Sequence, residues 1–332
     1  MKSFIKKRTK ILVTGGAGYI GSHTCKLLKI NGFEPIVFDN FSSGKKKFIK
    51  WGKYFKGDTK NIKDLDKVIK KFKPKAVIHF AANISVAESK LYPKKYYENN
   101  LFGTINLLEA MKKNKIKFLI FSSTAALYGN SKKKIINEDE PLLPVNPYGF
   151  SKLYSEQAIE QYANLFGIKF SILRYFNAAG ADFKSEVGED HEPETHLIPN
   201  IINSLIKNKV LKIYGKNFNT LDGTGVRDYI HVDDLGYAHI LALKKILSTQ
   251  KSFKLNLGTG KGYSVKQIIT KAEQIFKKKI KIKYMPRRAG DVSKLISSSI
   301  KAKKVLKWKA QNSDLNNILK TAYNWHRKIE KI

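Results

Sequence analysis

The segment that most constrains the fold is a glycine-rich turn near the N-terminus, ILVTGGAGYIGSH. It follows a short apolar run, Lys10–Thr14, and opens an amphipathic run, Ile20–Ile30. The spacing G-x-x-G-x-x-G of Gly15, Gly18 and Gly21 permits a tight turn, close approach of the backbone to a pyrophosphate, and close packing of helix on strand. A strand, a glycine turn and a helix in this order predict a dinucleotide-binding unit.

A second apolar run ends at Asp39, 21 residues after Gly18. An acidic side chain at this place accepts hydrogen bonds from a ribose 2′-hydroxyl and repels a 2′-phosphate. We therefore expect the cofactor to be NAD and not NADP.

The first 180 residues alternate short apolar runs with longer amphipathic runs. The apolar runs predict strands at Lys10–Thr14, Pro35–Asp39, Tyr54–Lys56, Ala76–Ala81, Phe118–Ser122 and Phe170–Arg174. The amphipathic runs predict helices at Ile20–Ile30, Leu65–Phe72, Tyr97–Lys113 and Pro147–Phe166. This alternation is typical of a parallel sheet covered on both faces. We predict an α/β protein with a Rossmann-type doubly wound parallel sheet.

Beyond about Asn177 the pattern becomes less regular. The stretch AAGADFKSEVGEDHEPETHLIP is polar and contains several Gly and Pro residues, which predicts a loop. Helical patterns follow at Leu197–Asn208, Asp233–Lys245 and Val265–Lys278, with two short ones at the end. We predict a smaller mixed α/β substrate domain over residues 181–332, after a cofactor domain over residues 1–180, with segments of the two free to interleave.

The net charge of +36 raises the question of a nucleic-acid partner. Only six of the 63 basic residues are arginine, although the planar guanidinium is the preferred phosphate reader. Lysines spread along the whole chain favour a solvated surface over a nucleic-acid footprint. No apolar run approaches the roughly 18 residues of a membrane helix. The single cysteine, Cys25, is typical of a cytoplasmic protein. We expect neither a nucleic-acid nor a membrane partner.

A second motif, NPYGFSK, predicts the start of a helix whose first turns carry candidate catalytic side chains. Asn146 is a good N-cap and Pro147 a good first helical residue, so Tyr148 and Lys152 lie four residues apart on one face. A tyrosine acts as a base near neutral pH only with cations close by, and Lys152 supplies one. A hydroxyl partner is offered by FSSTAALYG, at the end of a predicted strand, in Ser122, Ser123 and Thr124.

The seven histidines show no close metal-binding spacing such as H-E-x-x-H. We therefore expect no metal ion.

Taken in chain order, these motifs resemble the extended branch of the short-chain dehydrogenase/reductase superfamily, and within it the UDP-glucose 4-epimerases, also called UDP-galactose 4-epimerases. The resemblance runs through nearly the whole chain. Its most specific motifs come late: HLIP, DGTGVRDYIHVDDL, LNLGTGKGYSV and PRRAGD.

The resemblance implies roles for individual residues. It implies that NAD is bound by Gly15, Gly18, Tyr19, Ile20, Asp39, Asn40, Asp58, Phe80, Ala81, Asn99, Tyr148 and Lys152. It implies a catalytic set of Thr124, Tyr148 and Lys152. It implies that the UDP-sugar is bound by Thr124, Tyr148, Asn177, His196, Leu197, Arg227, Arg288, Asp291 and Leu295. Two positions differ from many relatives: Thr124 stands where serine is common, and Ile84 stands where some carry lysine.

The resemblance also implies an activity, the interconversion of UDP-glucose and UDP-galactose in galactose metabolism. Tyr148 takes the proton of the sugar 4-hydroxyl while hydride passes to NAD, the 4-keto sugar rotates, and hydride returns to its other face. Alternatives are a UDP-N-acetylglucosamine 4-epimerase and a non-catalytic basic binding protein on the same scaffold. A 4,6-dehydratase is disfavoured because Ala125 and Ala126 follow Thr124, where dehydratases usually carry Asp-Glu. The family implies a homodimer through the helices Tyr97–Lys113 and Pro147–Phe166.

Overall fold

The computed structural model of the chain describes residues 8–131, 133–288 and 291–331. Its strands are β1 (Lys10–Thr14), β2 (Glu34–Asp39), β3 (Lys53–Lys56), β4 (Ala76–His79), β5 (Phe118–Thr124), β6 (Lys169–Tyr175), β7 (Asn177–Ala179), β8 (Leu211–Tyr214), β9 (Val226–Arg227), β10 (Tyr229–His231), β11 (Phe253–Leu257), β12 (Tyr263–Ser264), β13 (Ile282–Met285) and β14 (Lys294–Leu295).

The α-helices are α1 (Tyr19–Ile30), α2 (Ile62–Phe72), α3 (Val86–Leu91), α4 (Pro93–Tyr96), α5 (Gly103–Lys113), α6 (Pro147–Phe166), α7 (Leu197–Lys207), α8 (Val232–Thr249), α9 (Val265–Phe276), α10 (Ile300–Leu306) and α11 (Leu315–Ile329). Ala289 and Gly290 of the PRRAGD motif lie outside the described residues.

The centre of the molecule is a seven-stranded parallel sheet in the order β11-β6-β5-β4-β1-β2-β3. The strand order reverses direction between β1 and β4, which is the arrangement of a doubly wound fold. The predicted Rossmann-type sheet is therefore confirmed. The six predicted strands are all present, with ends shifted by one or two residues.

The two faces of the sheet are covered by different helices. Alternate side chains of β1 point to opposite faces, so Ile11 packs in one core with α1 and α8, and Leu12 packs in the other with α2, α5 and α6. Both side chains are fully buried. This double burial is the reason why the inner strands β1, β2 and β4 are largely apolar and do not alternate with polar residues.

The second half of the chain forms a smaller mixed part with its own core. Residues of α7, α9 and α11 pack together with β8 around Ile201, Ile268 and Ile318. Short sheets pair β7 with β10, β8 with β13, and β9 with both β12 and β14. The chain also returns to the central sheet, because β11 is its edge strand and α8 packs on α1. The boundary between 180 and 181 stays a prediction.

The helix predicted over Tyr97–Lys113 is interrupted. Residues Tyr97–Phe102 form a wider π-helical turn, and the α-helix begins only at Gly103. Such turns are common next to functional sites. None of the helices in the described ranges combines the length and the apolar character that a membrane crossing requires.

Candidate active site

A cavity of about 680 Å³ lies at the carboxyl ends of the central strands. Its wall includes residues that directly follow β1, β2, β4 and β6, together with residues from the second half of the chain. Every residue to which the resemblance assigns a role lines this cavity except Asp58. Of the three hydroxyls offered by the FSSTAALYG segment, Ser122 and Thr124 line the cavity, whereas Ser123 does not and donates to Glu156. In parallel α/β sheets this edge is where ligands bind.

The glycine turn after β1 is packed too closely for other side chains. Gly15 has φ +70°, and a Cβ on it would lie 2.7 Å from the backbone nitrogen of Ala81. A Cβ on Gly21 would lie 2.2 Å from the carbonyl oxygen of Gly15. The turn therefore brings bare backbone to the cavity wall, as a bound pyrophosphate requires.

Helix α1 begins with its amide end at this turn. Its N-cap is Gly18, and among the described residues no side chain caps this end or places a carboxylate in its first turn. The first N–H groups of the helix have no partner within the helix, so this end suits an anion. The hydroxyl of Tyr19 donates to the carbonyl of Gly180 at 2.6 Å, which ties the turn to the second half of the chain.

Asp39, the last residue of β2, is the side chain predicted to contact the ribose of the cofactor. Its carboxylate accepts hydrogen bonds from the backbone N–H groups of Ala17 at 3.0 Å and Phe41 at 2.8 Å. Burial raises the pKa of Asp39, while these two N–H groups lower it. Asn40 lines the cavity, and its side-chain amide donates to Asp58, 3.1 Å away. Asp58 itself does not line the cavity and contacts the site through Asn40. These residues fit a ribose with free hydroxyls, which agrees with NAD.

The predicted catalytic side chains meet in the middle of the cavity. Helix α6 begins at Pro147, where the Asn146 side chain accepts from the N–H of Gly149 at 2.8 Å. This cap fixes Tyr148 in the first turn, facing the end of β5, where the hydroxyl of Thr124 is close enough to lower the pKa of Tyr148. One turn further along, the ammonium of Lys152 lies 4.3 Å from the ring centre of Phe121.

Burial favours the neutral form of both Tyr148 and Lys152. It raises the pKa of Tyr148, against the smaller lowering effect of the Thr124 hydrogen bond. It lowers the pKa of Lys152 to about 7, although the Glu156 carboxylate raises it. Because burial lowers this pKa to about 7, Lys152 is a weaker source of positive charge than its place in the motif predicts. A further positive charge beside Tyr148 is needed to favour its phenolate form.

The far end of the cavity contains two arginines. The Arg288 guanidinium stacks on the Tyr214 ring at 3.7 Å, and Arg227 donates to the carbonyl of Val226 at 2.9 Å. Asp291 and Leu295 line the same wall. Guanidinium groups that converge on a cavity are suited to bidentate contacts with a diphosphate.

Sequence reasoning assigned no role to Tyr175, which also lines the cavity. It ends β6, and its hydroxyl is hydrogen-bonded to Ser122 on the neighbouring strand. Burial raises the pKa of Tyr175, and the Ser122 hydrogen bond lowers it. The register of two parallel strands could have revealed it, because Tyr175 is paired with the predicted Thr124.

A network of histidines and glutamates borders the cavity near α7. The buried Glu189 carboxylate accepts from Nδ1 of His196 and of His191, the latter at 3.2 Å. Glu194 accepts from the backbone N–H groups of Thr195 and His196. The side-chain ligand atoms of Glu189, His191, Glu194 and His196 lie within 4.8 Å of one another, a spacing that a metal ion could use. We interpret the group as a hydrogen-bonded network because its members are already partnered, and the absence of a metal ion stays a prediction.

Comparisons with known proteins agree with this geometry. Residues 11–258 match the NAD dependent epimerase/dehydratase family. The chain is 46% identical to the UDP-glucose 4-epimerase of Rhizobium meliloti (strain 1021), over 96% of this chain and 98% of that one.

Solved structures are similar over nearly their whole length. The UDP-glucose 4-epimerase from Brucella ovis in complex with NAD is 42% identical, with a TM-score of 0.92, over 95% of this chain and 98% of that one. The UDP-glucose 4-epimerase from Bifidobacterium longum in complex with NAD+ and UDP is 36% identical, with a TM-score of 0.92, over 96% and 98%. The chain therefore belongs to the NAD dependent epimerase/dehydratase family, in which the relatives named here are UDP-glucose 4-epimerases.

Proposed function

We propose that the protein is an NAD-dependent isomerase that interconverts UDP-glucose and UDP-galactose, as part of galactose metabolism. The observation that carries this proposal is the continuity of the cavity. It extends from the glycine turn and Asp39, past Thr124, Tyr148 and Lys152, to the two arginines. The names of the relatives support the same activity and the same cofactor.

The residues around the glycine turn fit NAD. The amide end of α1 holds the pyrophosphate, and Asp39 with Asn40 holds the adenosine ribose. Bound NAD supplies the acceptor for a hydride from the sugar C4. Phe80, Ala81 and Asn99 also line the cavity, and they would contact the nicotinamide.

The protein's own part in the reaction is proton transfer and orientation. Thr124 and Tyr148, which both line the cavity, converge on the sugar 4-hydroxyl. Tyr148 accepts the proton of that hydroxyl and later returns it, and Lys152 stabilises the phenolate in between. Arg227 and Arg288 bind the diphosphate, while Asn177, His196, Leu197 and Asp291 complete the walls of the sugar-nucleotide end.

The test is incubation of the purified protein with UDP-galactose and a readout of UDP-glucose. We expect conversion with little or no added NAD, because release of reduced cofactor in mid-cycle would strand the keto sugar. The matched control is Tyr148→Phe, which keeps the ring and removes the hydroxyl. Accumulation of NADH in proportion to substrate would instead identify a dehydrogenase, and an inert wild type would favour the non-catalytic binding protein.

A second substrate class is favoured by one residue. Leu295 lines the sugar end and packs beside Ala125 and Tyr128. Leucine is smaller than a tyrosine in that place and leaves room for a 2-acetamido group. We infer some turnover of the N-acetyl sugars in addition to the main reaction. A few atoms more or less in an apolar pocket change the activation free energy for one substrate relative to another by about 1–3 kcal/mol.

We also propose a homodimer through the faces of α5 and α6. The apolar side chains of these helices include Leu107, Leu108, Met111, Leu153 and Ile159. Four of them, Leu107, Leu108, Met111 and Ile159, are fully buried inside the subunit and cannot form that contact, whereas Leu153 is partly exposed. Phe102, Tyr154 and Leu165 are instead exposed by 41% to 70% near this face. Light scattering at micromolar concentration tests the proposal, and a monomer would contradict it. The cytoplasmic location and the lack of a nucleic-acid or membrane partner stay predictions.

A further inference from the structure

The His196 ring is held between a buried carboxylate and the cavity. Its Nδ1 is hydrogen-bonded to Glu189, whose side chain is 3% exposed, while the His196 side chain is 43% exposed and lines the cavity. The geometry therefore assigns Nδ1 to the protein interior. It leaves Nε2, on the opposite side of the ring, to face the sugar-nucleotide end, where Arg288 lies.

The surroundings of His196 both favour and oppose a positive charge. His196 is the N-cap of α7, and the amide end of a helix disfavours a cation. Burial and Arg288 also lower the pKa of His196. Glu189 and Glu194 raise it, and the balance gives a pKa of about 9. The imidazole is thus cationic at neutral pH because of the carboxylates behind it.

The other titratable groups around Glu189 are either neutral near pH 7 or paired with other residues. Burial holds the pKa of Tyr19 above its ordinary value and that of His326 below it, so both are neutral near pH 7. Asp190 is paired with two lysines. The remaining neighbour is His191, which shares the same Glu189 oxygen at 3.2 Å. The carboxylate of Glu189 is therefore the group that most directly controls His196.

We infer that Glu189 is a positioning residue that keeps His196 protonated and oriented, so that Nε2–H donates to the diphosphate of the sugar nucleotide. This inference rests on the proposed function and adds a third cation to Arg227 and Arg288. Its consequence is that substrate affinity, and not the chemical step, depends on the protonation of His196. The charged form of His196 exists at pH values below its pKa. Binding of the sugar nucleotide is therefore strong at neutral pH and weakens as the pH rises through about 9.

The first test measures KM and kcat for UDP-galactose from pH 6 to 9.5 in wild type and Glu189→Gln. We expect a flat wild-type KM up to about pH 8. At pH 8 the variant should have a KM about tenfold higher with kcat nearly unchanged, the scale of one lost charge-assisted hydrogen bond. Glu192→Gln is the matched control, because Glu192 is exposed in the same loop, and its KM should equal that of wild type. Equal pH profiles for Glu189→Gln and Glu192→Gln would overturn the inference.

The second test does not depend on folding of the Glu189 variant or on turnover. The affinity for UDP is measured by calorimetry against pH in wild type and in His196→Asn, which has no titrating ring. We expect affinity to fall above pH 9 in wild type only. UMP, which lacks the diphosphate, should show no such pH dependence. An identical pH dependence in His196→Asn would refute the role of His196 even if the epimerase activity is present.

Discussion

The buried ion pair beneath the catalytic helix offers a sharp test of what holds the site in place. Glu156 follows Lys152 by one turn of α6, and its carboxylate accepts three contacts from Arg174, between 2.6 and 3.2 Å. The hydroxyl of Ser123 donates to the same carboxylate at 2.5 Å. The side chains of Arg174 and Glu156 are 2% and 1% exposed. Replacing Glu156 by glutamine leaves a buried guanidinium without its counter-charge.

Breaking a buried pair from one side costs about 3–5 kcal/mol, because the remaining charge stays desolvated. A chain of this length unfolds with an entropy of roughly 0.7 kcal/mol per kelvin, from about 2.1 cal/mol/K per residue. The melting temperature of Glu156→Gln should therefore fall by about 4–7 °C. Glu156 also raises the pKa of Lys152, so the variant should hold Lys152 more neutral and show lower kcat near pH 7.

Thermal unfolding followed by circular dichroism measures the first effect. The matched control is Glu160→Gln, one turn further along α6, where the partner is Lys254 and both side chains are about a third exposed. Its cost should be at most about 1 kcal/mol. The double variant Glu156→Leu with Arg174→Met should regain most of the lost stability, since an apolar pair can replace a buried ion pair. A Glu156→Gln protein as stable as Glu160→Gln would refute this reasoning.

Three further predictions concern the site itself. Tyr148→Phe and Lys152→Ala should each lower turnover by at least about a hundredfold with the fold intact, and near-normal rates in both would contradict the mechanism. Asp39→Ala should weaken NAD binding and reduce the preference for NAD over NADP, as measured by the two dissociation constants, and an unchanged ratio would contradict the ribose contact. Leu295→Tyr should reduce turnover of the N-acetyl sugars selectively. Equal losses on both substrate classes, or a wild type with no N-acetyl turnover, would show that Leu295 does not set the pocket.

The features that were predictable from sequence are those set by local rules. The glycine turn, the Asn146 cap and the two-face burial of β1 follow from backbone geometry and apolar pattern over a few residues. The π-helical turn at Tyr97–Phe102 was not predictable, because the hydrophobic pattern does not distinguish a π-helical turn from an α-helical one. The contact of His196 with Glu189 forms within an irregular loop, where no period indicates which side chains meet.

The late position of strand β11 in the chain affects folding during translation. This strand supplies the edge of the central sheet beside β6, yet it begins only at Phe253. While a ribosome is synthesising the chain, β6 can pair with β5, but its other edge stays unpaired until β11 has emerged. An open strand edge invites pairing with other chains. The nascent protein therefore passes through an interval of about 80 residues in which it needs protection from aggregation, several seconds at ordinary rates of translation.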